Sequence, residues 1–203
     1  MTEPENNYNK LRRDCWDKAL DCFGYSYIFA KRVVRLRRRI RLLTAFGILV
    51  PVAAGAIALS YAYRPEIVDF VVKIVATPLM IAQLLVSIAA LIYRWDDGLS
   101  YALDAASVHG TLSGKYKKLA STPPTTEVEL QRMYDLLEVE YDERTKQDAK
   151  ESIKEWENRM GMRAALREFQ RKCVGCDKTP TSLRSTNCDV CGNYSFKNKL
   201  TNT

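Results

Sequence analysis

Histidine occurs once, at His109, and the chain contains no HExxH, no GxSxG and no glycine-rich loop ending in Lys-Ser/Thr. These absences exclude a zinc hydrolase of the HExxH kind, a nucleophile-elbow serine hydrolase and a P-loop nucleotidase, each of which needs those residues at that spacing. The nearest approach to a phosphate loop, Gly110 to Gly114, reads GTLSG and lacks the closing Lys. A lone His109 reads as a packing or surface residue, and the acidic residues between 127 and 157 read as a solvated helix face rather than a general acid/base pair. No enzymatic activity is expected. Strand-period alternation is missing before residue 172, so the expected fold is all-α with a small C-terminal appendix.

Charge is missing from two places. Of 203 residues 55 are charged, yet the 22 from Leu42 to Tyr63 and the 20 from Ile74 to Tyr93 carry none. At 1.5 Å per residue these runs cover about 33 and about 30 Å, the thickness of a bilayer's hydrocarbon core. The spacing predicts spans at 42–63 and 74–93, with Pro51 and Pro78 as sites for kinks. Tyr61, Tyr63, Tyr93 and Trp95 fall at span ends, where rings that are apolar but carry O–H or N–H groups settle. Gln83, near the middle of the second run, is costly to show to lipid and is expected to face another helix or a lumen.

Net charge is +7, distributed as +6 over residues 1–41, +1 over 42–95, −5 over 96–160 and +5 over 161–203. Lys31, Arg32, Arg35, Arg37, Arg38, Arg39 and Arg41 sit immediately before the first apolar run, and the connection from Arg64 to Lys73 is neutral. Positive charge stays on the cytosolic side, so both termini are expected inside and only the short connection outside. The chain then divides into an N-terminal cytosolic helix with its basic flank (1–41), a transmembrane hairpin (42–95), a cytosolic helical region (96–171) with a linker at 121–126, and a cysteine-rich tail (172–203). Leu11, Cys15, Ala19, Cys22, Ala30 and Val34 make the expected apolar stripe of the first helix, which Gly24 could break. Cys15 and Cys22 stand two turns apart, beyond disulfide reach, and read as small packing residues. After the linker, Thr126 and Glu129 make a capping box, and the helix that follows carries Val128, Met133, Leu136, Leu137 and Tyr141 as its apolar residues.

The one sharp chemical signal is CVGCDKTPTSLRSTNCDVC, in which Cys173 and Cys176 are separated by eleven residues from Cys188 and Cys191. Two C-x2-C turns can close a tetrahedral thiolate shell around zinc, with Gly175 and Gly192 allowing the tight backbone; a redox dithiol or an iron–sulfur centre shares the motif. Four ligands leave no position for water, so zinc here would be structural. Arg163, Arg167, Arg171, Lys172 and Arg184 make the surroundings basic and are candidates for contact with nucleic acid or an acidic protein surface, or are simply solvated.

The N-terminal helix, basic flank, two-span hairpin and helical tail resemble the SLATT family of small two-transmembrane effectors, and the tail is similar to a mobilome group defined by its CxxC-x11-CxxC spacing. The resemblance implies a membrane effector of a bacterial anti-phage, abortive-infection system, in the inner membrane. Such an effector is silent on a sensor complex and permeabilises the bilayer as a homo-oligomer once released. It implies as sensor a nucleotide-signalling system or a retron, meaning a reverse transcriptase with its msDNA. With no nucleotide pocket legible, direct contact with the retron complex is the expected arrangement. The competing readings are a zinc-ribbon membrane adaptor that tethers a cytosolic complex without forming a pore, and a thiol–disulfide redox sensor.

Overall fold

A computed structural model describes residues 7–60 and 65–194. Helices α1 (Asn7–Ser60), α2 (Pro65–Val71), α3 (Thr77–Ile92), α4 (Trp95–Ser121), α5 (Glu127–Asp148) and α6 (Glu155–Glu168) follow in order. A π-helical turn at Val72–Ala76 joins α2 to α3, and no strand occurs among the described residues. The chain forms two compact units, one of Arg32–Tyr101 and one of Met1–Lys31 with Ala102–Thr203.

The segments Asn7–Ile57, within α1, and Asp69–Ile92 are each long and apolar enough to cross a membrane, and only 6% of each apolar window is buried inside the protein. Core helices of a water-soluble protein would be mostly covered, so these side chains have no protein environment to satisfy them. The polar groups within the runs are satisfied by backbone carbonyls: Thr44 donates to Ile40, Ser87 to Gln83 and Thr77 to Val72. Gln83 donates from Nε2 to the Leu43 carbonyl at 3.1 Å, so it faces α1. Gly47 leaves room for it there, since a Cβ at that position would lie 3.2 Å from the amide. The π turn has a cause in Pro78, which lacks an N–H and crowds the carbonyl four residues back; widening the preceding turn relieves this, and the Thr77 N–H reaches Val72 instead. The second apolar run does not pass smoothly into the next helix, because Arg94 turns the chain with φ 48° before α4 starts. Asp96 and Asp97 occupy the first turn of α4, and Arg94 bonds Asp97 at 2.5 Å. Tyr61, Tyr63 and Arg64 lie outside the described residues.

The second unit has a core of Leu11, Cys15, Ala19 and Cys22 from α1, Leu112, Tyr116, Leu119 and Ala120 from α4, and Leu130 from α5. Steps of three and four residues keep each set on one helix face, as the sequence indicates up to Cys22. Beyond it, Gly24, Ile28 and Phe29 are buried and Ala30 is exposed; farther along α1, in the other unit, Val33 is buried and Val34 exposed. Burial pushes the Cys15 thiol up to about 11 and the Cys22 thiol up to about 12, which keeps both as inert packing groups. Of the expected capping box at α5, the N-cap half forms, with the Glu129 N–H donating to the Thr126 hydroxyl.

The end of α5 is not the solvated stretch its charges suggest. Arg144 and Asp148 are both buried, as is Glu157 on α6, whose carboxylate reaches back to the Lys154 N–H. Asp148 accepts from Arg144 through one oxygen and meets His109 Nε2 at 2.5 Å through the other; Arg144 also reaches Asp104 on α4. The His109 ring is stacked between Tyr25 and Phe29 of α1. Its Nδ1 has no hydrogen-bond partner among the described residues, while Nε2 faces the Asp148 carboxylate.

Gly24 does not break α1. It meets Gly161 of α6 backbone to backbone, and the two positions are unequal. A Cβ on Gly24 would find ordinary contacts at 3.5 Å, whereas one on Gly161 would lie 2.8 Å from the Gly24 carbonyl oxygen and 2.7 Å from Ile28 Cδ1. Gly24→Ala is therefore expected to change stability by less than about 1 kcal/mol, helix propensity offsetting slight crowding. Gly161→Ala is expected to cost about 1–3 kcal/mol, as overpacking against backbone does. Denaturant melts of the two full-length variants in detergent, side by side, check the asymmetry.

Candidate metal centre

The four cysteines lie beyond α6 in a segment of turns, and the structure brings them together. Their sulfurs all fall within 4.8 Å of one another. Across the two CxxC turns, Cys173 and Cys188 stand 3.9 Å apart and so do Cys176 and Cys191. A disulfide needs about 2.05 Å, and a tetrahedral ion with metal–sulfur bonds of about 2.3 Å needs sulfurs about 3.8 Å apart. The arrangement fits a four-coordinate metal site and does not fit a pair of disulfides.

Each CxxC closes the same turn. The Cys173 carbonyl accepts from Asp177 N–H at 2.8 Å, and the Cys188 carbonyl accepts from Gly192 and Asn193 N–H at 2.8 Å each. Asp177 takes the left-handed conformation, with φ 52°, and no glycine has a positive φ. The glycines of the motif serve close packing instead. A Cβ on Gly175 would come 2.5 Å from Val190 Cγ2, and one on Gly192 would come 2.0 Å from Thr186 Oγ1. Cys173 and Cys191 are buried with Leu20, Ala165 and Leu166, so α1 and α6 supply the floor of the site. Backbone N–H groups of Cys191 and Val190 bring the Cys188 thiol down to about 7, as suits a ligand that must lose its proton. Burial raises the Cys191 thiol, so that sulfur requires a cation beside it to ionise.

The basic residues near the site separate into two groups. Arg163 is turned inward: its Nε donates to the Ser182 carbonyl at 2.8 Å, and its Nη1 lies 3.4 Å from Thr186 Oγ1 and 3.8 Å from the Cys191 sulfur. It holds the eleven-residue connection to α6 and places a positive charge beside a thiolate ligand. Arg171 pairs with Asp17 and Lys172 with Asp177. Arg167 and Arg184 are exposed. Val174, at the tip of the first turn, is 97% exposed. Arg163 is legible in sequence only as one more basic residue, because the carbonyl and sulfur it reaches are 19 and 28 positions away.

Residues 12–194 match a protein family described as "Mobilome CxxCx(11)CxxC protein". No curated protein and no solved structure matches the chain.

Proposed function

Since the chain belongs to the mobilome CxxCx(11)CxxC family, we propose that it is a membrane effector of a bacterial anti-phage defence system. In this reading a sensor complex holds it inactive, and on release it self-assembles in the inner membrane and permeabilises it. The observation that carries the reading is the pair of helices long and apolar enough to cross a bilayer and almost wholly uncovered by the rest of the chain. Two spans alone cannot enclose an aqueous path, so the lesion is the work of several copies. The arginine-rich stretch of α1 ahead of the apolar run supports a topology with both termini in the cytosol. The ion is zinc in this reading, because four thiolates at this spacing are its structural ligand set, and it serves to fold the tail rather than to react. A retron complex, a reverse transcriptase with its msDNA, is the sensor we favour: exposed Arg167, Lys172 and Arg184 suit a partner rich in phosphate.

A second reading, a tether without a pore, draws support from the exposed tip at Val174, which offers a docking point whatever the spans do. Membrane potential and dye entry separate the two. Cells induced to make the chain without its genomic neighbours are expected to depolarise within minutes and admit the dye. An intact potential at equal protein level contradicts the effector and favours the tether.

A further inference from the structure

Only some of the apolar residues of α5 are covered within the chain. Leu130 is fully buried and Leu137 and Tyr141 are half-buried, but Val128, Leu136 and Val139 are 81%, 62% and 63% exposed. At 100° per residue, Val139 lies opposite Leu130 and Leu137, and Leu136 stands about 120° round the helix from Leu130, so α5 is apolar on two sides and only one is covered within the chain. The outer seam reads Arg132, Leu136, Val139, Glu143, Lys146, all exposed, with steps of four, three, four and three. That is the heptad spacing by which one helix packs along another.

The charges in the seam select the orientation. A parallel pair of α5 helices would set Arg132 against Arg132, Glu143 against Glu143 and Lys146 against Lys146. An antiparallel pair with its two-fold axis between Leu137 and Glu138, the midpoint of Glu127–Asp148, sets Arg132 against Glu143 at both ends and Leu136 against Val139 between them. This register also overlaps the two helices along their full length. Self-complementarity of this kind defines an isologous interface, in which each copy offers the same patch.

We propose that α5 pairs antiparallel with α5 of a second copy of this chain, Leu136 of each copy packing on Val139 of the other and Arg132 of each meeting Glu143 of the other. The proposal deepens the self-assembly in the functional reading above, on which it rests for the choice of a second copy as occupant. Buried apolar contact supplies the attraction, and the crossed ion pairs fix the register.

The test uses the full-length chain in detergent micelles, with self-association followed by analytical ultracentrifugation and cross-linking. Arg132→Glu and Glu143→Arg each place like charges together and are expected to weaken association by about tenfold or more, whereas the double reversal restores it to within about threefold of the unaltered chain. Leu136→Asp with Val139→Asp is expected to abolish the contact while melting as the unaltered chain does, because these side chains leave the protein's own core untouched. Single reversals without effect, a double reversal as weak as the singles, or an unaltered chain that stays monomeric overturns the proposal. Membrane potential in the same variants keeps the two readings apart. Charge-dependent pairing in a chain that never depolarises cells removes the effector and leaves the interface, and depolarisation by a chain whose association ignores these charges does the reverse.

Discussion

Replacement of Cys173 and Cys176 by serine is expected to strip the metal from the chain and unfold its tail. The two sulfurs are half of a four-sulfur shell, and Cys173 is buried against α1 and α6 together with Cys191, Leu20, Ala165 and Leu166. A structural thiolate site for zinc binds with an apparent free energy of about 10–16 kcal/mol at neutral pH, and that energy is folding energy for a segment with no helix or strand of its own. The segment after α6 has only turns among its described residues, so its order is expected to depend on a bound ion more than on backbone hydrogen bonds. Metal analysis of the purified full-length chain should give about one zinc per copy. In the double variant it should give none, and limited proteolysis should then cut between residues 170 and 194. Cys15→Ala with Cys22→Ala is the matched control, expected to keep the metal, because both thiols lie in the apolar core away from the centre. A double serine variant with unchanged metal content and unchanged protease resistance contradicts the assignment. A chain that is free of metal as purified and holds Cys173–Cys188 and Cys176–Cys191 disulfides makes it a redox device instead.

Arg144→Met is expected to destabilise the helical unit by about 3–5 kcal/mol, because it leaves the buried Asp148 carboxylate facing His109 without its guanidinium. Asp148→Leu in the same background should recover part of that loss, since replacing both members of a buried ion pair by apolar groups removes the buried charge, while His109 Nε2 loses its carboxylate partner. Denaturant melts of the single and double variants check this. Equal stability of the single variant and the unaltered chain contradicts the role given to the pair.

The parts of this molecule that could be read from sequence were those set by short-range pattern. Two uncharged runs of bilayer length announced two candidate spans, because desolvating a charge is too costly for chance to leave twenty positions free of it. Cys173, Cys176, Cys188 and Cys191 could be grouped from spacing alone, because two residues between thiols form one turn and a turn has one geometry. What escaped depends on partners distant along the chain. His109 and Asp148 are 39 positions apart, and only the packing of α4 on α5 turns an apparently solvated acid into a buried one. On α5 the periodicity was real, but Leu130 and Val139 belong to opposite faces, and no pattern within one helix says which face its neighbours will cover. Gly24 is compatible with a helix break when read alone; the structure shows that α1 passes α6 there at backbone distance.

The spans either act on the membrane or only hold the chain to it. The most direct measurement compares membrane potential in cells expressing the unaltered chain with that in cells expressing a version in which residues 42–93 are replaced by an unrelated two-span anchor, at matched membrane levels and with no other gene of the system present. Loss of potential with the native spans and a normal potential with the substitute is the predicted result. Equal depolarisation by both, or by neither, contradicts a lesion made by these two helices.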